Sequence, residues 1–149
     1  MRFGIMVVAA TVAMAGAASG RGASPPDSAR VSAAYMDALR AADSFLAAWS
    51  TRNSDAGMDL LSARLLSGDA DHKADLRQYI SGLSNPHHRA FEIGAGTANR
   101  AERVAFPVTL FELYTGERTG HLYRDTLEVL QERGEWRIDR LPRGGTDVR

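Results

Sequence analysis

The sequence predicts an α+β domain: N-terminal helices packed on the apolar face of an antiparallel β-meander of about four strands. Three observations predict it. Apolar residues recur at three- and four-residue steps up to about residue 83. From His88 onward they alternate every second residue, the period of a strand. Pro86 stands at the change of period, and a proline disfavours the helical conformation in the residue before it.

The chain opens with "MRFGIMVVAATVAMAGAASG". Arg2 precedes an apolar run from Phe3 to about Ala18, closed by Ala15-Gly16-Ala17, a small-x-small cleavage pattern. This order is that of a Sec-type signal peptide, 1–18. The run is shorter than the ~20 apolar residues of a spanning helix, so no membrane association is expected after cleavage. There is no cysteine to carry a lipid, and the mature chain is expected to be secreted or periplasmic. Residues 19–30, "SGRGASPPDSAR", are small, polar and proline-containing, and read as a disordered linker. A single α+β domain is expected over 31–142, and "RGGTDVR" (143–149) as a flexible tail.

Asp27 or Ser28 can cap the first helix, whose apolar face runs Val31, Tyr35, Leu39, Ala42, Phe45, Leu46 and Trp49. Ser54 or Asp55 starts a second helix carrying Met58, Leu61 and Leu65, which Gly68 is expected to end in the left-handed conformation. A third helix from about Asp71 buries Leu76, Tyr79, Ile80 and Leu83, and Asn85-Pro86 stops it. Phe91 and Ile93 begin the strand pattern, and "GAG" (94–96) suggests a bulge or a close backbone approach. Val104, Phe106, Val108 and Leu110 share one parity. Pro107 has no N–H for a ladder, which predicts an edge or a bulge there. Gly116 to Gly120 make a turn into "HLYRDTLEVLQ", and Arg133-Gly134 a tighter one into "EWRIDRLP".

Composition excludes several classes. With 18 basic and 18 acidic residues the chain is neutral, and without Arg2 it holds 17 against 18. Such a balance argues against nucleic acid and anionic lipid as partners. Absence of cysteine removes disulfides, thiolate metal sites and thiol nucleophiles. No serine sits in a G-x-S-x-G elbow, and "GAG" lies in a strand instead of opening a helix.

The helix "AADSFLAAWSTRNSDAGMDLLS", the later strands and the closing "GEWRIDRLP" resemble the nuclear-transport-factor-two-like superfamily, also called ketosteroid-isomerase-like or cystatin-like α+β rolls. The resemblance covers roughly residues 30 to 142. It implies a curved sheet wrapped around a long helix to form a cone with a cavity. Some members are isomerases or dehydratases of small hydrophobic molecules. No catalytic motif is shared, so only the shape carries over.

If the hairpin is centred on residues 117 and 118, Tyr114 faces His121, Glu112 faces Tyr123 and Leu110 faces Asp125. With Arg133-Gly134 as a two-residue turn, Leu127 faces Arg140, and Asp125 lies diagonally near that guanidinium. The core-side parity then passes from apolar to Glu112, Tyr114, His121, Tyr123, Asp125 and Arg140, the candidate ligand-binding rim. A desolvated Asp125 there could serve as a base, with Tyr123 or Tyr114 as hydrogen-bond donor. The plainer reading makes Asp125 and Arg140 a cross-strand ion pair at the sheet's wet end.

Adjacent strand residues point to opposite faces, so His87 and His88 in "NPHHR" do not converge. His87 shares the parity of Phe91 and joins the candidate rim; His88 belongs on the surface. One of them is expected to bond the carbonyls that end the third helix. Asp69 and Asp71 read as cap and dipole partners more readily than as metal ligands with His72, Asp75 and His87. No metal and no cofactor are expected. The leading functional expectation is an exported, non-catalytic binding or interaction domain. It would hold a small apolar ligand in its cone or meet a protein partner, with a homodimer through the sheet face as one form. The rival is a small-molecule isomerase or dehydratase using Asp125.

Overall fold

The computed structural model describes residues 27–82, 86–100 and 102–143. The signal-peptide reading and most of the linker fall outside the described residues, as does the tail from 144.

Helix α1 (Asp27–Thr51) takes in the last residues of the stretch read as linker. Its buried stripe is Ala38, Ala42, Phe45, Leu46 and Trp49, a helical spacing that keeps one face inward. The helix closes with Arg52 at φ 61, and Asn53 N–H reaches back to the Ala48 carbonyl.

Where one second helix was expected there are two short ones, α2 (Ser54–Met58) and α3 (Ala63–Leu66). The interruption has a cause in the sheet. Ser62 N–H donates to the Ile138 carbonyl and Ile138 N–H to the Leu60 carbonyl, both at 2.8 Å. This backbone segment lies parallel to the last strand and covers its edge, which would otherwise present unpaired groups. Gly68 is not left-handed as expected. A Cβ there would stand 2.4 Å from the His72 ring, so close approach is what the position requires. Helix α4 (Ala70–Ser81) is capped by Asp69, which accepts from His72 N–H, and it ends at Gly82 with φ 86.

The sheet is antiparallel and curled into a half-barrel, in the order β1-β3-β4-β5. Its strands are β1 (Pro86–Ile93), β2 (Thr97–Arg100), β3 (Arg103–Tyr114), β4 (His121–Glu132) and β5 (Glu135–Arg140). The glycines of "GAG" split the edge into β1 and β2, which both pair with β3. Pro107 therefore lies in a central strand, not at an edge. Its carbonyl accepts from Gly94 N–H, so its donorless nitrogen faces the break between β1 and β2.

Arg133 (φ 52) and Gly134 (φ 85) form the expected two-residue turn, both left-handed as a type I′ turn demands. The longer β3–β4 connection differs from expectation by two residues. His121 lies opposite Glu112, Tyr123 opposite Leu110 and Asp125 opposite Val108. An even offset preserves parity, so the inward face is unchanged. The β4–β5 register slips after Val129↔Ile138, and Glu128, not Leu127, meets Arg140. The extra residue is Asp139, a bulge that leaves Ile138 and Asp139 both buried.

The core lies between the concave sheet and the helices. Phe45, Trp49 and Phe106 are buried there in one cluster with Leu46, Ile80, Leu110, Leu127, Val129 and Ile138. The interior of the roll is thus packed with side chains.

Candidate functional site

Near the β3–β4 turn the inward parity changes from apolar to polar. Leu110 and Leu127 are wholly buried; beyond them come Glu112 and Tyr114 on β3, and Tyr123 and His121 on β4. Arg89, directly opposite Glu112 on β1, completes the group.

Arg89 and Glu112 form an ion pair withdrawn from water, their side chains 2% and 4% exposed. Arg89 Nε donates to Glu112 Oε1 at 2.9 Å. Its Nη1 donates to the carbonyls of Trp49 (2.9 Å) and Ile80 (2.6 Å), in the closing turns of α1 and α4. The guanidinium also lies 4.5 Å from the centre of the Trp49 ring, a cation–π contact. Burial lowers the Arg89 pKa, and the charge and hydrogen bond of Glu112 work against that. A histidine of "NPHHR" was expected to bond the carbonyls that end α4; Arg89 is a cation that does so. An arginine reaches both carbonyls and the carboxylate at once, which an imidazole with two nitrogens does not. His88 is exposed, as its parity predicted, and the side chain of His87 lies outside the described residues.

The second oxygen of Glu112 accepts from the Tyr114 hydroxyl at 2.9 Å. Partial burial and that carboxylate raise the Tyr114 pKa, keeping the phenol neutral. The His121 ring lies 5.4 Å from Tyr114 and 6.4 Å from Tyr123, nearly parallel to the latter. Its Nε2 meets Glu117 Oε2 at 2.6 Å. Tyr114 and Tyr123 are half-buried and His121 is exposed, so the rings form a shelf at the open end of the sheet.

Asp125 belongs to a different group. Its carboxylate accepts from the backbone N–H of Arg143 (2.7 Å) and of Thr126 (2.8 Å), and Arg140 Nη2 is 3.2 Å away. Partial burial pushes against the charged form. Those hydrogen bonds, aided by the Arg140 guanidinium, outweigh it and hold the pKa below the usual aspartate range. Tyr79 donates to the Pro142 carbonyl at 2.6 Å and so helps fix the chain that supplies the Arg143 N–H. The expected rim is therefore divided. Glu112, Tyr114, His121 and Tyr123 are brought together, while Asp125 and Arg140 form the cross-strand ion pair of the plainer reading.

Two features escaped the sequence. Arg89 shares the parity of Phe91 and Ile93, which marks it as inward, yet its charge hid it. Asp139 is the other. Its Oδ1 accepts from Ser62 Oγ (2.7 Å) and Arg64 Nε (2.9 Å), and its Oδ2 from Arg103 Nη1 (2.9 Å). Burial opposes this carboxylate too, and those hydrogen bonds outweigh it and lower the pKa. Elsewhere an open groove of about 640 Å³ runs between α2–α3 and the β4–β5 turn, floored by Met58, Leu61 and Leu66. None of the expected rim residues lines it.

His72 Nε2 lies 2.7 Å from the Leu65 carbonyl, and Asp69 caps α4; hydrogen bonds at the α3–α4 junction account for both.

No protein-family model matches the sequence, and no curated protein matches it. Among solved structures, the chain is similar to a crystal structure named "Putative Scytalone Dehydratase" from Novosphingobium aromaticivorans. The TM-score is 0.55 at 15% identity, over 75% of this chain and 84% of that one. At such identity the likeness concerns the fold. That likeness supports the resemblance to nuclear-transport-factor-two-like proteins at the level of the fold: an α+β roll with its helices on the concave side of a curled antiparallel sheet.

Proposed function

We propose that the domain is an exported, non-catalytic binding module. Its ligand, a small flat apolar molecule, lies across the Tyr114–His121–Tyr123 shelf instead of deep in the cone. The reading rests chiefly on one observation: the interior is filled by Phe45, Trp49 and Phe106, while the rings at its mouth remain partly open. Aromatic faces offer dispersion and offset stacking to such a ligand, and the tyrosine hydroxyls offer orientation. Both oxygens of Glu112 already accept hydrogen bonds, from Arg89 and Tyr114. Export is inferred from residues 1–18 alone.

The similar structure's name favours a second reading, a dehydratase or isomerase with Asp125 as base and Tyr123 or Tyr114 as donor. A carboxylate stabilised as the anion is a weak base, and that counts against it. One experiment separates the two. A bicyclic phenol is titrated into the full chain while melting temperature and product formation are both followed. The binding module gains stability, about 2.7 kcal/mol at a hundred times Kd, without turnover. Tyr123→Ala removes that gain. No gain in the wild type, or an equal gain in Tyr123→Ala, sinks the shelf. Turnover abolished by Asp125→Asn would establish the enzyme.

A further inference from the structure

The outer edge of β5 is covered over only part of its length. Ile138 turns its N–H and carbonyl away from β4, to Leu60 and Ser62. Main-chain groups alternate in direction along an antiparallel strand, so Trp136, two residues back, turns its pair to the same edge. Gln131, opposite Trp136, gives its N–H to the Glu102 carbonyl, as that alternation requires. Toward the turn the covering segment has left the edge for α2: the Leu60 N–H goes to Gly57 and the Asp59 N–H to Asp55. Among the described residues nothing bonds the Trp136 N–H or carbonyl.

Beside this open stretch lies the groove of about 640 Å³, with Met58 and Leu61 buried and Leu66 half-buried along its floor. Most charges on its walls are already answered. Arg137 donates to the Asp59 carbonyl and to the Glu135 carboxylate, and Glu132 accepts from the Ala63 N–H. The Asp59 carboxylate and the Arg133 guanidinium are exposed and make no ion pair among the described residues. They stand toward opposite ends. Asp59 is tied to Arg137, which pairs with Leu130, and Arg133 is three residues beyond Leu130, roughly 10 Å at about 3.4 Å per residue. Arg133 also holds a φ of 52, in a type I′ turn position that asparagine or glycine suits better. Its charge is placed there against the preference of the backbone.

We propose that this edge receives a short apolar peptide with free ends, added as a strand antiparallel to β5. Its middle residue exchanges two hydrogen bonds with Trp136, the N–H of each donating to the carbonyl of the other. Its terminal ammonium lies by Asp59 and its terminal carboxylate by Arg133, a span that about three extended residues fill. Its apolar side chains find the floor of Met58, Leu61 and Leu66. The reverse direction would set ammonium against guanidinium and carboxylate against carboxylate. The two lone charges therefore fix the polarity of the peptide as well as its length. None of these residues belongs to the ring shelf, so the inference stands apart from the ligand proposed there.

Trileucine is the probe. Titrated into the full chain by calorimetry, it should bind, and it should slow amide hydrogen exchange at Trp136. Acetylating its N-terminus or amidating its C-terminus should each weaken binding by about tenfold or more. Arg133→Gly suits the left-handed backbone, so it cannot act by unfolding the turn, and it should lose as much affinity as amidation does. To that variant, trileucine and its amide should bind alike; to Asp59→Asn, trileucine and its acetylated form should bind alike. No binding of trileucine at millimolar concentration overturns the inference. So do blocked peptides that bind as well as the free one, or blocking losses that persist in the matching variants. A bound peptide that leaves Trp136 exchange unchanged must use another surface and overturns it too.

Discussion

Glu112 and Asp139 are both buried acids answered by arginine, and they differ in what surrounds the answer. Glu112 faces Arg89, whose side chain is as buried as its own. Asp139 meets Arg64 and Arg103, whose side chains are 63% and 37% exposed, and it also has the Ser62 hydroxyl. In the first pair both ions have left water, so each has only the other to balance its charge. In the second only the acid has done so, and its donors are several. A buried ion pair adds little net stability over apolar residues of the same shape, yet breaking one leaves an uncompensated charge. The two acids should therefore respond very differently to the loss of one partner.

The largest effect is expected from Arg89→Met. It strands Glu112 and removes donors from the Trp49 and Ile80 carbonyls, and should cost about 3–5 kcal/mol in urea unfolding. Adding Glu112→Leu to that variant should recover much of the loss and leave about 1–2 kcal/mol for the uncapped carbonyls. If the double variant is as unstable as the sum of the singles, the pair is not coupled as described.

Asp139→Asn should cost less, about 1–3 kcal/mol, because two of the three donors it weakens are arginines that water can then solvate. Its signature is in pH. The folded pKa of Asp139 is depressed, so its contribution is fully present above the unfolded value of about 3.9 and is lost as pH falls through the folded one. Wild type should lose stability below about pH 4 more steeply than Asp139→Asn. Parallel acid limbs would contradict this. The smallest effect is expected for Arg64→Ala, under about 1 kcal/mol, since that arginine is mostly in water.

The same pair of acids shows how far sequence reaches. Period and punctuation revealed the order of helices and strands, the inward parity of β3 and β4, the Asp69 cap and the Arg133-Gly134 turn. They also placed Glu112, Tyr114, His121 and Tyr123 on one face. Position along the strand was less legible. The connection from Tyr114 to His121 is long enough to allow several registers, and only the pairing of Glu112 with His121 reveals which is used. Asp139 was illegible because a bulge is fixed by what packs on both sides of a strand, here Ser62, Arg64 and Arg103. The split of the expected second helix has the same origin, since Ile138 draws the backbone of Leu60 and Ser62 away. Arg89 was legible by parity and overlooked for its charge. In "NPHHR" the residue that organises the interior is the arginine after the two histidines.

That arginine binds the closing carbonyls of two helices far apart in sequence. Helices α1 and α4 are consequently joined at their ends by one side chain, and neither end can fray without disturbing the other. Amide hydrogen exchange should find their final turns opening together as a single cooperative unit. In Arg89→Met both should begin to exchange earlier, in step, while the centre of β3 keeps the rate set by global unfolding.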